Sequence, residues 1–188
     1  MREPLPKAEV IKAIEHGRPS RVPMMLHFWT GAQNFGDRAE QVREIQAQYP
    51  HDMHPVGLPM PQMWDDPSQA GAIPGYSWMN TPPPPAPTVA KGHDANFGIE
   101  DWSQLQGILD SWPSPDAPAS LGSRDQIAKD AAGRYVLACW WFCFYERIWS
   151  MRGMENVMMD FYLNPKPLHQ LMEAMCDFYC GMIRRARK

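Results

Sequence analysis

No helix or central strand can run through the middle of this chain. Residues 59–118 hold most of its 20 prolines. At their centre, Thr81-Pro-Pro-Pro-Pro-Ala-Pro lacks the N–H groups that a helix or a sheet ladder needs, which leaves polyproline II. The regular fold must come from the flanks, with 59–118 as an insertion. An insertion of this length without structure of its own is usually functional or mobile. One short helical signal, Ile99-Glu-Asp-Trp-Ser-Gln-Leu, sits inside it. Its aromatic residues Trp64, Tyr76 and Trp78 read either as an apolar lid or as simple anchors.

The flanks carry clearer periods. Val10, Ile11 and Ile14 predict a helix over 6–16, with Gly17 at the C′ stop. The run Val22–Trp29 is apolar enough for a buried strand. Asp37–Gln48 reads as a helix capped by Asp37, and Asp52–Leu58 as a weaker strand. After the insertion, Arg134–Phe144 has high β-propensity, with Trp140 and Trp141 on opposite faces. Glu146–Arg152 reads as a helix ending at Gly153, and the pattern resumes through Val157, Met158 and Phe161. Asn164-Pro165 closes it, and Pro167 starts the last helix. There Leu168, Leu171, Met172, Met175, Phe178, Met182 and Ile183 form one apolar stripe, and Arg184, Arg185, Arg187 and Lys188 suit the negative end of the helix dipole. Alternation of this kind predicts three parallel strands covered by helices, an α/β fold.

Composition excludes some partners. A net charge of −3 provides no basic field for nucleic acid or an anionic membrane surface. The N-terminus has no apolar signal segment, and no apolar run nears the roughly 20 residues that span a bilayer, so the expected compartment is cytoplasmic. The four cysteines, Cys139, Cys143, Cys176 and Cys180, form two CxxxC pairs. That is not the spacing of zinc ribbons, and they read as small buried hydrophobes.

Several segments together resemble the uroporphyrinogen decarboxylase superfamily. They are Ser20-Arg21-Val22-Pro23 after the opening helix, the Ile99–Leu105 segment before Trp112-Pro113, and Glu146-Arg-Ile-Trp-Ser-Met-Arg-Gly-Met-Glu-Asn followed by Asn164-Pro165. The resemblance implies a TIM (β/α)₈ barrel. A complete barrel takes roughly 250 residues; this 188-residue chain therefore reads as about its first half, one domain over 1–188 truncated at the C-terminus. A half-barrel would expose strand edges and helix stripes, so self-association is expected.

Barrel enzymes place chemistry at the carboxyl ends of the strands. The catalytic candidates are therefore His27, near the end of the first strand, and Tyr145 and Glu146, after the third. Trp29, Trp141 and Arg152 are the substrate-binding candidates, although Arg152 also reads as a residue that holds a loop or caps a helix. His51, Asp52 and His54 fall at the opposite, stabilising end. The decarboxylases carry Arg-Gln-Ala-Gly-Arg-Tyr after strand one, where this chain has Phe28–Gln33 and neither arginine. Trp149 stands where a tyrosine is expected, and Gly57-Leu58-Pro59 where an aspartate is expected. A substrate with many carboxylates wants guanidinium partners. The superfamily also contains corrinoid-linked methyltransferases, whose zinc ligands resemble a His and Cys set in the second half of the barrel. The resemblance thus implies methyl transfer on a small-molecule substrate with a corrinoid protein as partner, and no cofactor held by this segment, which alone would be inactive. The alternatives are uroporphyrinogen decarboxylation and a non-catalytic half-barrel.

Overall fold

Two parallel strand pairs organise the computed structural model, which describes residues 2–25, 31–69, 72–85, 97–117, 123–139 and 144–187. The chain divides into two units, Met1–Leu58 with Leu121–Cys139, and Pro59–Ser120 with Trp140–Lys188. The result is a mixed α/β architecture with seven α-helices among the described residues. No described helix is long and apolar enough to cross a membrane.

In the first unit, helix α1 (Lys7–Ile14) buries Val10. It ends two residues earlier than expected. His16 takes the left-handed position (φ 58°), and Gly17 N donates to Lys12 O at 2.8 Å. Gly17 thus occupies C″ of a Schellman motif rather than C′. Its missing side chain still matters, because a Cβ there would lie 2.8 Å from Lys12 Cγ. Helix α2 (Ala39–Gln48) follows a 3₁₀ stretch, Ala32–Arg38. Its N-cap is Arg38, without a side-chain bond, so Asp37 is not the cap. Strand β1 (Met53–Gly57) pairs in parallel with β4 (Tyr135–Cys139), from Met53↔Tyr135 to Gly57↔Cys139. Helix α4 (Arg124–Ala131) leads into β4; its N-cap is Ser123, and Ala132 and Gly133 turn the chain at positive φ. Of the expected strand 22–29, residues 22–25 form no strand, and the remainder lies outside the described residues.

Asp52 holds this unit's N-terminal segments to β1. Its side chain is fully buried. Oδ1 accepts from Leu5 N (2.7 Å) and Arg21 Nη2 (2.6 Å). Oδ2 accepts from Met24 N (2.7 Å) and Arg21 Nη1 (2.5 Å). Asp52 N donates to Met24 O, and Arg21 Nη2 also reaches Glu3 O. Burial alone would raise the carboxyl's pKa. The guanidinium and the two backbone N–H groups outweigh burial and hold it at about 2. The reading of 51–54 as the stabilising end therefore has a physical basis at Asp52.

The second unit contains the proline-rich region, and much of it is ordered packing rather than a structureless insertion. Strand β2 (Gln62–Trp64) runs parallel to β3 (Ser77–Met79). Tyr76, Ser77, Trp78 and Met79 are all buried. Trp78 meets Phe178 edge-on at 4.7 Å between centroids and Trp112 at 4.9 Å. Tyr76 and Trp78 are therefore core residues rather than a lid. Helix α3 (Leu105–Asp110) continues from a 3₁₀ turn, Trp102–Gln104, that a capping box of Asp101 and Gln104 opens. Helices α5 (Phe144–Arg152) and α6 (Met154–Leu163) meet at Gly153. There φ is 86°, and a Cβ would sit 3.1 Å from the Phe97 ring, so only glycine fits. Helix α7 (Pro165–Ala186) begins at Pro165, ahead of Pro167. Its stripe buries Leu168, Leu171, Met175, Phe178, Tyr179 and Met182, while Ile183 is exposed.

The Asp52 site generates a test. Asp52→Asn should lower stability, because it takes the charge partner from the part-buried Arg21 guanidinium and turns an amide N–H₂ toward donors that a buried carboxylate had satisfied. The folded carboxyl titrates at about 2, below the ~3.9 of an unfolded aspartate. Its contribution is therefore full above pH ~4 and lost as pH falls toward 2. Urea midpoints at pH 7 and pH 3 should fall in the wild type and fall less in Asp52→Asn. Equal losses would overturn this account.

Candidate functional site

The carboxyl ends of β1 and β4 lie side by side, closed by a bond from Leu58 N to Cys139 O at 2.7 Å. This is the edge at which a parallel α/β enzyme would place its chemistry. The residues expected there separate into three groups. His27, Trp29 and Trp141 lie outside the described residues, as does Cys143. Tyr145 and Glu146 open α5. Arg152 is at its other end, about 9 Å further along the axis at 1.5 Å per residue.

Tyr145 is exposed, and its hydroxyl donates to Met158 Sδ at 3.2 Å. Glu146 is half-buried. The two occupy the first turn of α5, where the positive end of the helix dipole favours a carboxylate.

Arg152 is committed to scaffold bonds. Its Nε donates to Asp160 Oδ2 at 2.8 Å, and Nη1 donates to Ile99 O at 3.0 Å and Glu100 O at 2.6 Å. The guanidinium also lies 5.1 Å from the centroid of the Trp102 ring, a cation–π geometry. Burial would raise the Asp160 carboxyl, but bonds from Arg152 and Asn164 hold it below its ordinary value, and Trp102 lowers it further. One arginine thus ties α5, α6 and the Ile99–Glu100 segment together. Of the two roles the sequence offers Arg152, these bonds are those of the loop-holder.

Arg147 is a residue that sequence reasoning passed over. It is 3% exposed, and its guanidinium lies 5.8 Å from the Trp78 ring centroid. Burial lowers its pKa to about 10, against the opposing effects of Tyr179 and Glu146. It therefore keeps its charge at neutral pH inside an aromatic core. Its position, next to Glu146 and one turn before Met151 on an amphipathic helix, gives no sequence signal that it would point inward.

No family model, curated protein or solved structure matches the chain. The site must therefore be read from its own residues. Among the described residues, no group of three or more His, Cys, Asp and Glu side chains is placed to hold a metal ion. The zinc implied by the resemblance has no ligand set among them. A hollow of 370 Å³ between α3 and α7 is lined by Leu109, Trp112, Pro113, Ala174 and Phe178, with Asp177 as its charged residue. It is an apolar surface feature and holds none of the expected site residues.

The bonds of Arg152 give an expected outcome. Lysine carries its donors on one atom and cannot span Asp160 and two carbonyls at once. Arg152→Lys should therefore lose about 2–4 kcal/mol of stability and shift tryptophan emission as Trp102 loses its cover. A lysine variant with the wild-type denaturation midpoint would rule out this bonding role.

Proposed function

We propose that the chain belongs to a (β/α)₈ enzyme resembling the uroporphyrinogen decarboxylase superfamily, with β1 and β4 as neighbouring barrel strands. In this reading the enzyme transfers a methyl group to or from a small molecule, with a corrinoid protein as partner. The observation that carries the reading is the parallel, in-register pairing of β1 with β4, entered through α4; Tyr145 and Glu146 follow β4 in the sequence, in the first turn of α5. Tyr145 is exposed, with its hydroxyl on Met158 Sδ, and Glu146 offers a half-buried carboxylate. These groups can orient a small polar substrate and exchange a proton with it. Methyl transfer is favoured over decarboxylation because Phe28 and Ala32 stand where the decarboxylases carry guanidinium groups.

A second reading, a non-catalytic half-barrel that self-associates, draws on the outer face of α6. Met154, Met158, Met159, Phe161, Tyr162 and Leu163 are all exposed there, Tyr162 at 90%. A contiguous apolar face of this kind favours association.

The readings differ in solution. Equilibrium dialysis of the purified chain against methylcobalamin, standing in for the corrinoid that the partner carries, should give saturable binding, weakened in Tyr145→Phe and Glu146→Gln. Uroporphyrinogen incubated with the same protein should keep all its carboxylates. Loss of carboxylates would transfer the reading to the decarboxylase. Absence of corrinoid binding, together with concentration-dependent sedimentation, would transfer it to the non-catalytic assembly.

A further inference from the structure

Helix α7 is anchored along one side and carries two thiols elsewhere on its surface. Leu168, Leu171, Met175, Phe178 and Met182 are buried, which fixes the rotation of the helix about its axis. Cys176 is then exposed and Cys180 half-buried. They are one turn apart on a continuous helix, so they share a face, with Cβ atoms about 5–6 Å apart. The expectation that these cysteines are buried hydrophobes does not hold at Cys176. Neither is in a disulfide.

The geometry points to a dithiol site on α7, formed by Cys176 and Cys180, that takes a soft metal ion of two-coordinate preference, of the monovalent copper class. The argument has two parts. First, the sulfurs are soft ligands, and a packed helix holds them at neighbouring positions, so little ordering is needed on binding. Second, the number of ligands selects the ion. Structural zinc wants four ligands in a tetrahedron, and the described residues offer no group of three or more His, Cys, Asp and Glu. Two sulfurs alone suit an ion that accepts a linear pair. Metal binding replaces both protons: each thiol releases its proton to solvent as its sulfur–metal bond forms, and no electrons are exchanged.

The test uses the whole chain, reduced and kept without oxygen, with Cu(I) supplied from the coloured chelator bathocuproine disulfonate. The wild type should withdraw copper from the chelator. Cys176→Ser and Cys180→Ser should each withdraw one equivalent less, with the helical circular-dichroism signal unchanged, and Cys139→Ser should keep that equivalent. A wild type that withdraws no copper overturns the proposal. So does a serine variant at either α7 position that keeps the full equivalence, or loss of the equivalent in Cys139→Ser alone.

Discussion

A carboxylate without water must be fully satisfied or not charged at all, and Asp52 is satisfied on every side. Two backbone N–H groups and a bidentate guanidinium converge on it. These donors come from the segment before α1 and from residues 21–24, and the acceptor sits one residue before β1. The register of β1 against β4 thus starts from a fixed point. The Asp52 N–H bond to Met24 O adds a backbone link to the same place. Remove the guanidinium and the Asp52 carboxylate is left buried without its counter-charge, in a unit whose helix α2 buries no residue fully.

The second unit rests on a different constraint. Its core is aromatic: Trp78 is surrounded by Phe178, Trp112 and Tyr179. Within the same unit Arg152 ties α5 to α6 and to the Ile99–Glu100 segment, its acceptors coming from two separate pieces of chain. In both units an arginine performs the work that a longer sheet would otherwise do. Among the described residues each sheet has two strands, too few to hold the surrounding loops through ladder bonds alone.

What was legible in the sequence was mainly the helices with strong stripes. α7, α1 and the pair α5–α6 broken at Gly153 announce themselves through apolar spacing and glycine. β1 and β4 were legible as β-rich runs. Helix α4 was missed although Ser123 and Gly133 bracket it, because Ile127 is the only large apolar residue within it and the hydrophobic period is weak. The strands β2 and β3 were missed for another reason. They are three residues each, among prolines that argue against strand, and tertiary burial of Trp78 overrides that local signal. Asp52 and Arg152 were both visible as positions, but their partners were not. Arg21 and Ile99 are distant in sequence, and nothing local says that a guanidinium will reach a particular carbonyl. Arg147 had no signal of its own beyond its place in a helix.

The interleaving of the two units has a consequence for how the molecule is made. β1 and β4 are roughly eighty residues apart in the chain, and the intervening length includes β2, β3 and α3 of the other unit. During synthesis β1 must wait, with its ladder edge open, until the segment for β4 has emerged. Meanwhile Trp78 waits in turn for Phe178. Closing so long a loop adds entropy only logarithmically, so the finished state loses little. The delay falls on kinetics, since long-range pairing is slow. While it lasts, a nascent chain displays an unpaired strand edge and a bare aromatic cluster at once, the two features that chaperones exist to shield.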